Sequence, residues 1–141
     1  MLRIVFDTSV IVSALRSADG ASNALLRLVA NEDVRPMVGV SLFLEYEAVL
    51  KRPEQRLVHG LNLLEIDEFL SAFASASEAI EVNFQWRPQL PDPNDEMVLE
   101  TAVNGNADFL VTHNLRDFAK AAPKFGLNVI TPGALLKEIK S

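Results

Sequence analysis

Four acidic residues, Asp7, Glu45, Asp95 and Asp117, stand where carboxylates can act together. Asp7 is the most telling. It lies between an apolar run and an apolar helical segment, where an acid is costly unless hydrogen-bonded or paired with a cation. Four carboxylates in one crevice repel one another, which raises some of their pKa values until a cation neutralises them. Magnesium or manganese suits such a site, because these hard ions take oxygen ligands and keep several waters. Ser9, Thr112 and Asn114 are the polar residues placed to hold those waters. A site of this kind activates water for attack on phosphorus and neutralises charge on the phosphodiester, so phosphodiester hydrolysis is the chemistry implied. Each acid also has a plainer reading: Asp95 as a favourable charge at a helix N-terminus, Glu45 as a solvated helix residue, Asp117 as a turn acid.

The elements that must position these acids follow from hydrophobic patterning. Leu2 to Phe6 is an apolar run rich in branched residues, the pattern of a strand buried on both faces. Val10, Ile11, Ala14 and Leu15 predict a short helix, and Ala21, Leu25, Leu28 and Val29 a second one after the Asp19-Gly20 turn. Met37 to Val40 reads as a strand. Ser41 then caps a helix carrying Leu42, Tyr46, Val49 and Leu50, which Pro53 ends. Leu63, Ile66, Phe69, Leu70 and Phe73 mark another helix, and Ala79 to Val82 a short strand. Residues Asn83 to Asn94 contain three prolines and form a connection. Asn94 is the expected cap of a helix with Val98, Leu99, Ala102 and Val103 inside, closed by Asn104-Gly105. Phe109 to Thr112 and Leu127 to Ile130 are the remaining strands, and Thr131-Pro132 caps the last helix.

Apolar strands alternating with helices imply an α/β fold, a parallel sheet with helices on both faces. In such a fold, sites lie along the carboxyl edge of the sheet. Asp7 follows the first strand, Glu45 lies soon after the second, Asp95 opens the helix before the Phe109 strand, and Asp117 follows that strand. All four fall on one edge.

A length of 141 residues predicts one domain, and 49% hydrophobic with 23% charged residues predicts a chain that folds alone. The absence of cysteine excludes a disulfide framework, a thiolate metal site and a cysteine nucleophile, and fits a reducing compartment. With an acid at position 7 and no long apolar run, the expectation is a cytoplasmic protein without a membrane span. The net charge of −6 opposes bulk attraction to nucleic acid, unless the acids converge where bound metal reverses the local sign.

Three stretches carry a resemblance: Arg3-Ile4-Val5-Phe6-Asp7-Thr8-Ser9-Val10, Asp92-Pro93-Asn94-Asp95-Glu96, and Ala107 to Phe118 with its Val-Thr-His-Asn-Leu-Arg-Asp core. In that order and over nearly the full chain, they resemble the PIN-domain family of metal-dependent ribonucleases, particularly the toxins related to VapC. The resemblance implies a single PIN domain over residues 1–141, a Rossmann-like three-layer sandwich. It makes Asp7, Asp95 and Asp117 the metal carboxylates, with Glu45 as the helix acid. Thr112 and Asn114 then look like the residues that support metal-bound water. Many relatives have aspartate where this chain has Asn114, which lowers the site charge by one. Asp92 and Glu96 are the alternative acids beside Asp95. The implied function is a magnesium- or manganese-dependent endoribonuclease, the toxin of a toxin–antitoxin pair, with RNA as substrate, an antitoxin protein as partner and a homodimeric assembly.

Other residues carry weaker signals. His113 and His59 have no histidine or cysteine partner at ligand spacing and read as solvated. Arg116 adjoins Asp117 and is the candidate guide for an RNA phosphate; Lys120 and Lys124 follow it, and Lys51, Arg52 and Arg56 form a second basic cluster. Phe84 and Trp86 read first as core residues, with base stacking or partner contact as the functional reading. Phe69 and Phe73, at helical spacing, read as core or dimer interface.

Two rival functions suit a fold of this class. A phosphotransfer or nucleotide-binding domain is disfavoured, because Thr8-Ser9-Val10 follows the first strand in place of a glycine-rich turn and no P-loop lysine motif occurs. A catalytically inactive protein- or RNA-binding module on the same scaffold is the alternative, and such a module would be free to lose the four acids.

Overall fold

The computed structural model describes residues 1–140. The chain begins with β1 (Leu2–Phe6), α1 (Thr8–Arg16), α2 (Ala21–Ala30) and β2 (Val34–Val38). Then come α3 (Val40–Leu50), α4 (Pro53–His59), α5 (Leu63–Ala76) and β3 (Glu78–Ala79). After a long connection follow α6 (Pro93–Asn104), β4 (Phe109–Val111), α7 (Leu115–Phe118), a 3-10 turn (Ala122–Phe125), β5 (Val129–Ile130) and α8 (Pro132–Lys140).

The strands form one parallel sheet in the order β3-β2-β1-β4-β5. Ile4, Val5 and Phe6 are each fully buried. Successive strand residues point to opposite faces, so both faces of β1 are covered, as the unbroken apolar run predicts. From β1 the chain builds outward through β2 to β3, then crosses back to β4 and β5 on the other side. The sheet order therefore reverses between β1 and β4, and the crevice beyond their carboxyl ends is where such folds bind ligands. Asp7 lies there, its amide donating to the Val111 carbonyl at 2.9 Å.

Several boundaries differ from the sequence reading. β2 starts at Val34 and contains Pro36, which pairs with Ile4. On its other side β3 pairs only from Met37 onward, so the missing proline N–H breaks no ladder there. Gly39, not Ser41, caps α3, and Pro53 opens α4 instead of only ending α3, since proline suits the first helical turn. α6 is capped by Asp92 rather than Asn94: the Asp92 side chain accepts from the Asn94 amide at 2.9 Å, with Pro93 at the first helical position. β3 is shorter and earlier than Ala79 to Val82, and β5 shorter than Leu127 to Ile130.

After β3 the chain becomes a strap that runs antiparallel to α6. The Asn83 and Phe84 amides donate to Asn104 Oδ1 at the end of α6, Arg87 pairs with Glu100, and the Gln89 and Leu90 amides donate to Glu96 near its start. Phe73 is buried against Phe6 and Tyr46, with ring centroids 6.0 and 5.8 Å away, while Phe69 is half-buried beside it. No helix among the described residues is long and apolar enough to cross a membrane.

Candidate active site

Asp7 is 5% exposed and held as the N-cap position of α1. The Thr112 hydroxyl donates to its Oδ2 at 2.6 Å and the Ser9 hydroxyl to the same oxygen at 3.1 Å. Both donors converge on Oδ2, leaving Oδ1 without a hydroxyl. Thr112 is itself fully buried, and its Oγ1 accepts the Asn114 amide at 3.0 Å, which ties the turn after β4 to the turn after β1. Tyr46 completes the frame. Its buried hydroxyl donates to the Phe6 carbonyl, fixing α3 against the residue before Asp7. Burial first, and the Asp7 charge second, push the Tyr46 hydroxyl well above its usual pKa, so it stays a neutral donor. Sequence reading took Tyr46 as an apolar helix position; the available signal was that a buried tyrosine hydroxyl must find an acceptor.

Asp95 faces this frame from the first turn of α6. Its Oδ2 is buried and has no hydrogen-bond partner. Its carboxyl is pushed up to about 7, first by burial and then by the negative charges of Asp7, Asp92, Asp117 and Glu96. Asp117 is exposed in α7, its amide bonded to the Asn114 carbonyl at 3.0 Å. Thus Asp7, Asp92, Asp117 and Glu96 all act on Asp95 at the sheet switch point, Asp7 most strongly. Glu45 is half-buried in the early part of α3, forms no hydrogen bond or ion pair among the described residues, and is not among the acids acting on Asp95.

The alternative acids have other tasks. Asp92 is the exposed helix cap, and Glu96 is 3% exposed with its Oε1 accepting two strap amides at 2.7 and 2.9 Å. Glu100, which the sequence reading did not single out, is equally buried and takes a two-pronged ion pair from Arg87 at 2.7 and 2.8 Å. That contact raises the Arg87 pKa. His113 is exposed but not simply solvated: its Nε2 lies 3.3 Å from the buried Ser22 hydroxyl. His59 bonds the Leu50 carbonyl and the Leu61 amide, which accounts for it structurally. Arg116 is exposed beside Asp117. Phe84 and Trp86 are not core residues; they stack on each other at the surface.

The donor set fits a hard divalent cation. An unpartnered buried carboxylate oxygen aimed among other acids is what such an ion would relieve. No three acidic or histidine side chains among the described residues converge closely enough to cage an ion alone. Hard ions that retain water need few direct ligands, so a closed cage is not required.

The PIN domain profile matches residues 3–116, which include Asp7, Glu45, Asp95 and all the polar residues around Asp7. The chain belongs to the PIN domain family. Solved structures share this PIN fold. A chain of the DNA-bound VapBC crystal structure from Salmonella typhimurium aligns with a TM-score of 0.64 at 17% identity, over 94% of this chain and 99% of that one. A chain of VapBC2 from Rickettsia felis, bound to a promoter DNA fragment, aligns at 0.58 and 17% identity, covering 92% and 98%. VapBC-1 from nontypeable Haemophilus influenzae gives 0.61 at 14% identity, covering 94% and 99%. At these identities the likeness is one of fold. No curated protein matches the chain in sequence.

Proposed function

We propose that this PIN protein is a divalent-metal-dependent endoribonuclease that hydrolyses RNA phosphodiester bonds. The observation that carries the reading is Asp95: a buried carboxylate oxygen, unpartnered among the described residues, held against the charges of Asp7, Asp92 and Asp117. Asp7, Asp95 and Asp117 would hold the ion, magnesium or manganese. When bound, the metal supplies an activated water and neutralises charge on the scissile phosphate. Thr112 and Ser9 fix the rotamer of Asp7, so one carboxylate is oriented before ligand arrives. Asn114, held by Thr112 at its amide, offers its side chain to water, and Glu45 stands on α3 as a further acid. Arg116, exposed beside Asp117, binds a substrate phosphate.

The resemblance to VapC-like toxins extends this to the toxin half of a toxin–antitoxin pair in the cytoplasm, acting as a homodimer. An antitoxin has a surface to cover. α4 buries none of its residues, and Leu57, Val58, Leu63 and Leu64 are exposed along α4 and the start of α5. The alternative is an inactive binding module that keeps the same scaffold and surface without hydrolysis.

Cleavage of a mixed RNA pool with and without magnesium, in parent and Asp7→Asn protein, tests the reading. The expected result is cleavage by the parent only, and only with metal. Equal cleavage by Asp7→Asn overturns the site; no cleavage of any RNA with either ion favours the binding module.

A further inference from the structure

The strap along α6 carries a feature that the catalytic site does not use. Phe84 and Trp86 are 61% and 41% exposed, yet they stack with ring centroids 5.5 Å apart and an interplanar angle of 22°. Trp86 also meets the half-buried Phe125 at 5.3 Å. Three rings therefore form a surface ladder whose outermost member, Phe84, presents its ring to solvent. The ladder is held in place. Asn104 grips the Asn83 and Phe84 amides and the Phe84 carbonyl, and the Arg87–Glu100 pair anchors the strap next to Trp86.

One cation without an acidic partner among the described residues stands at its edge, in a chain of net charge −6. Lys124, next to Phe125, reaches only the neutral Gln89 amide oxygen at 3.4 Å, and neither Lys120 nor Arg116 forms an ion pair among the described residues. Arg116, Lys120 and Lys124 follow one another along the chain from α7 to the 3-10 turn that carries Phe125. Position along α6 sets the reach. Trp86 lies on the strap between the partners of Asn104 and Glu100, so it stands roughly 8–14 Å along the helix from Asp95 at 1.5 Å rise per residue. That is a span of a few nucleotides.

Flat exposed rings beside an uncompensated cation are what unpaired bases and their phosphates bind, since stacking needs only a π-face and the cation meets the backbone. We propose that the Phe84–Trp86–Phe125 ladder, with Lys124 at its edge, is a stacking platform that holds an unpaired base of single-stranded RNA a few nucleotides from the cleaved bond. The inference rests on the nuclease reading for its choice of RNA and deepens it: the substrate is single-stranded where it crosses the strap.

Trp86 is the only tryptophan in the chain, so its fluorescence reports on the platform directly. A single-stranded 12-nucleotide RNA of mixed sequence is titrated into the full chain in chelator, where metal-dependent cleavage is off. The expected result is saturable quenching by the single strand and little by the same sequence as duplex. Phe84→Leu, which keeps apolar bulk and leaves Trp86 as reporter, weakens binding about ten-fold. Lys124→Gln lowers the slope of log affinity against log salt by about 0.7. Unchanged affinity in Phe84→Leu, or equal quenching by duplex, overturns the platform. Quenching by a co-expressed antitoxin with none by RNA also overturns it and assigns the ladder to a protein partner. Cleavage with magnesium, measured on the same RNA, separates the two readings. RNA cut without any Trp86 response removes the platform and keeps the nuclease; a Trp86 response without cleavage does the reverse.

Discussion

One helix carries both kinds of acid that this protein uses. On the strap side of α6, Glu96 and Glu100 are more deeply buried than Asp95, yet each is satisfied: Glu96 by two backbone amides and Glu100 by the Arg87 guanidinium. At its N-terminus, half-buried Asp95 has a buried oxygen with no partner and faces Asp7 and Asp117. Burial alone therefore does not single out the acid proposed for the metal. What marks it is that the protein has supplied no donor for it while placing other negative charges nearby.

The contrast predicts opposite consequences for mutation at its two ends. The largest effect is expected for Asp95→Asn, a loss of RNA cleavage on the order of 10²–10³-fold with the fold retained, read as kcat/KM beside a urea melt. Parent-like cleavage would move the metal acid elsewhere. At the other end, Arg87→Met leaves Glu100 buried without its cation and loosens the strap. Breaking a fully buried pair costs about 3–5 kcal/mol, and the half-exposed Arg87 side chain reduces this to about 2–3 kcal/mol, read as a lower urea midpoint. If stability is unchanged, the satisfied side of the comparison fails.

Stability against pH gives the next effect. Asp95 is raised from 3.8 to about 7, so between these values the folded chain holds a proton that the unfolded chain has released. Metal-free stability therefore falls as pH rises from about 4 to 7 and is flat above that. Because Asp95 is half-exposed, the expected fall is about 1–2 kcal/mol. Asp95→Asn abolishes that component, measured by urea melts in chelator across pH. The smallest effect is expected for Glu96→Gln, which keeps an acceptor for the strap amides: about 1 kcal/mol of stability or less, with cleavage within a few-fold of the parent. A loss as deep as that of Asp95→Asn would instead make Glu96 the metal acid.

Much of this arrangement was legible from residue pattern. The uninterrupted Leu2–Phe6 run announced a doubly covered central strand, and Asp7 at its end announced the site, because both signals depend on local polarity alone. The roles of Asp92, Asp95 and Glu96 were not separable by spacing. They depend on a strap that returns along α6 to present its amides to Glu96, a long-range pairing that leaves no periodic trace. Phe84 and Trp86 read as core from sequence for a related reason: hydrophobicity does not show that a strap lying outside a helix has no layer above it. Asp92 displaced Asn94 as the cap because Pro93 fits the first helical position, a signal that was present in the sequence.

Asp95, by this proposal, is left unpartnered for a divalent ion. Calorimetric titration of manganese into metal-free protein at pH 6.5, in two buffers of different ionisation enthalpy, tests it most directly, with Asp95→Asn beside the parent. The expected result is binding by the parent with release of a fraction of a proton, as the ion displaces hydrogen from a carboxyl near 7, and strongly weakened binding without that release in Asp95→Asn. Binding of equal strength and equal proton release in both proteins, or none in the parent, would contradict it.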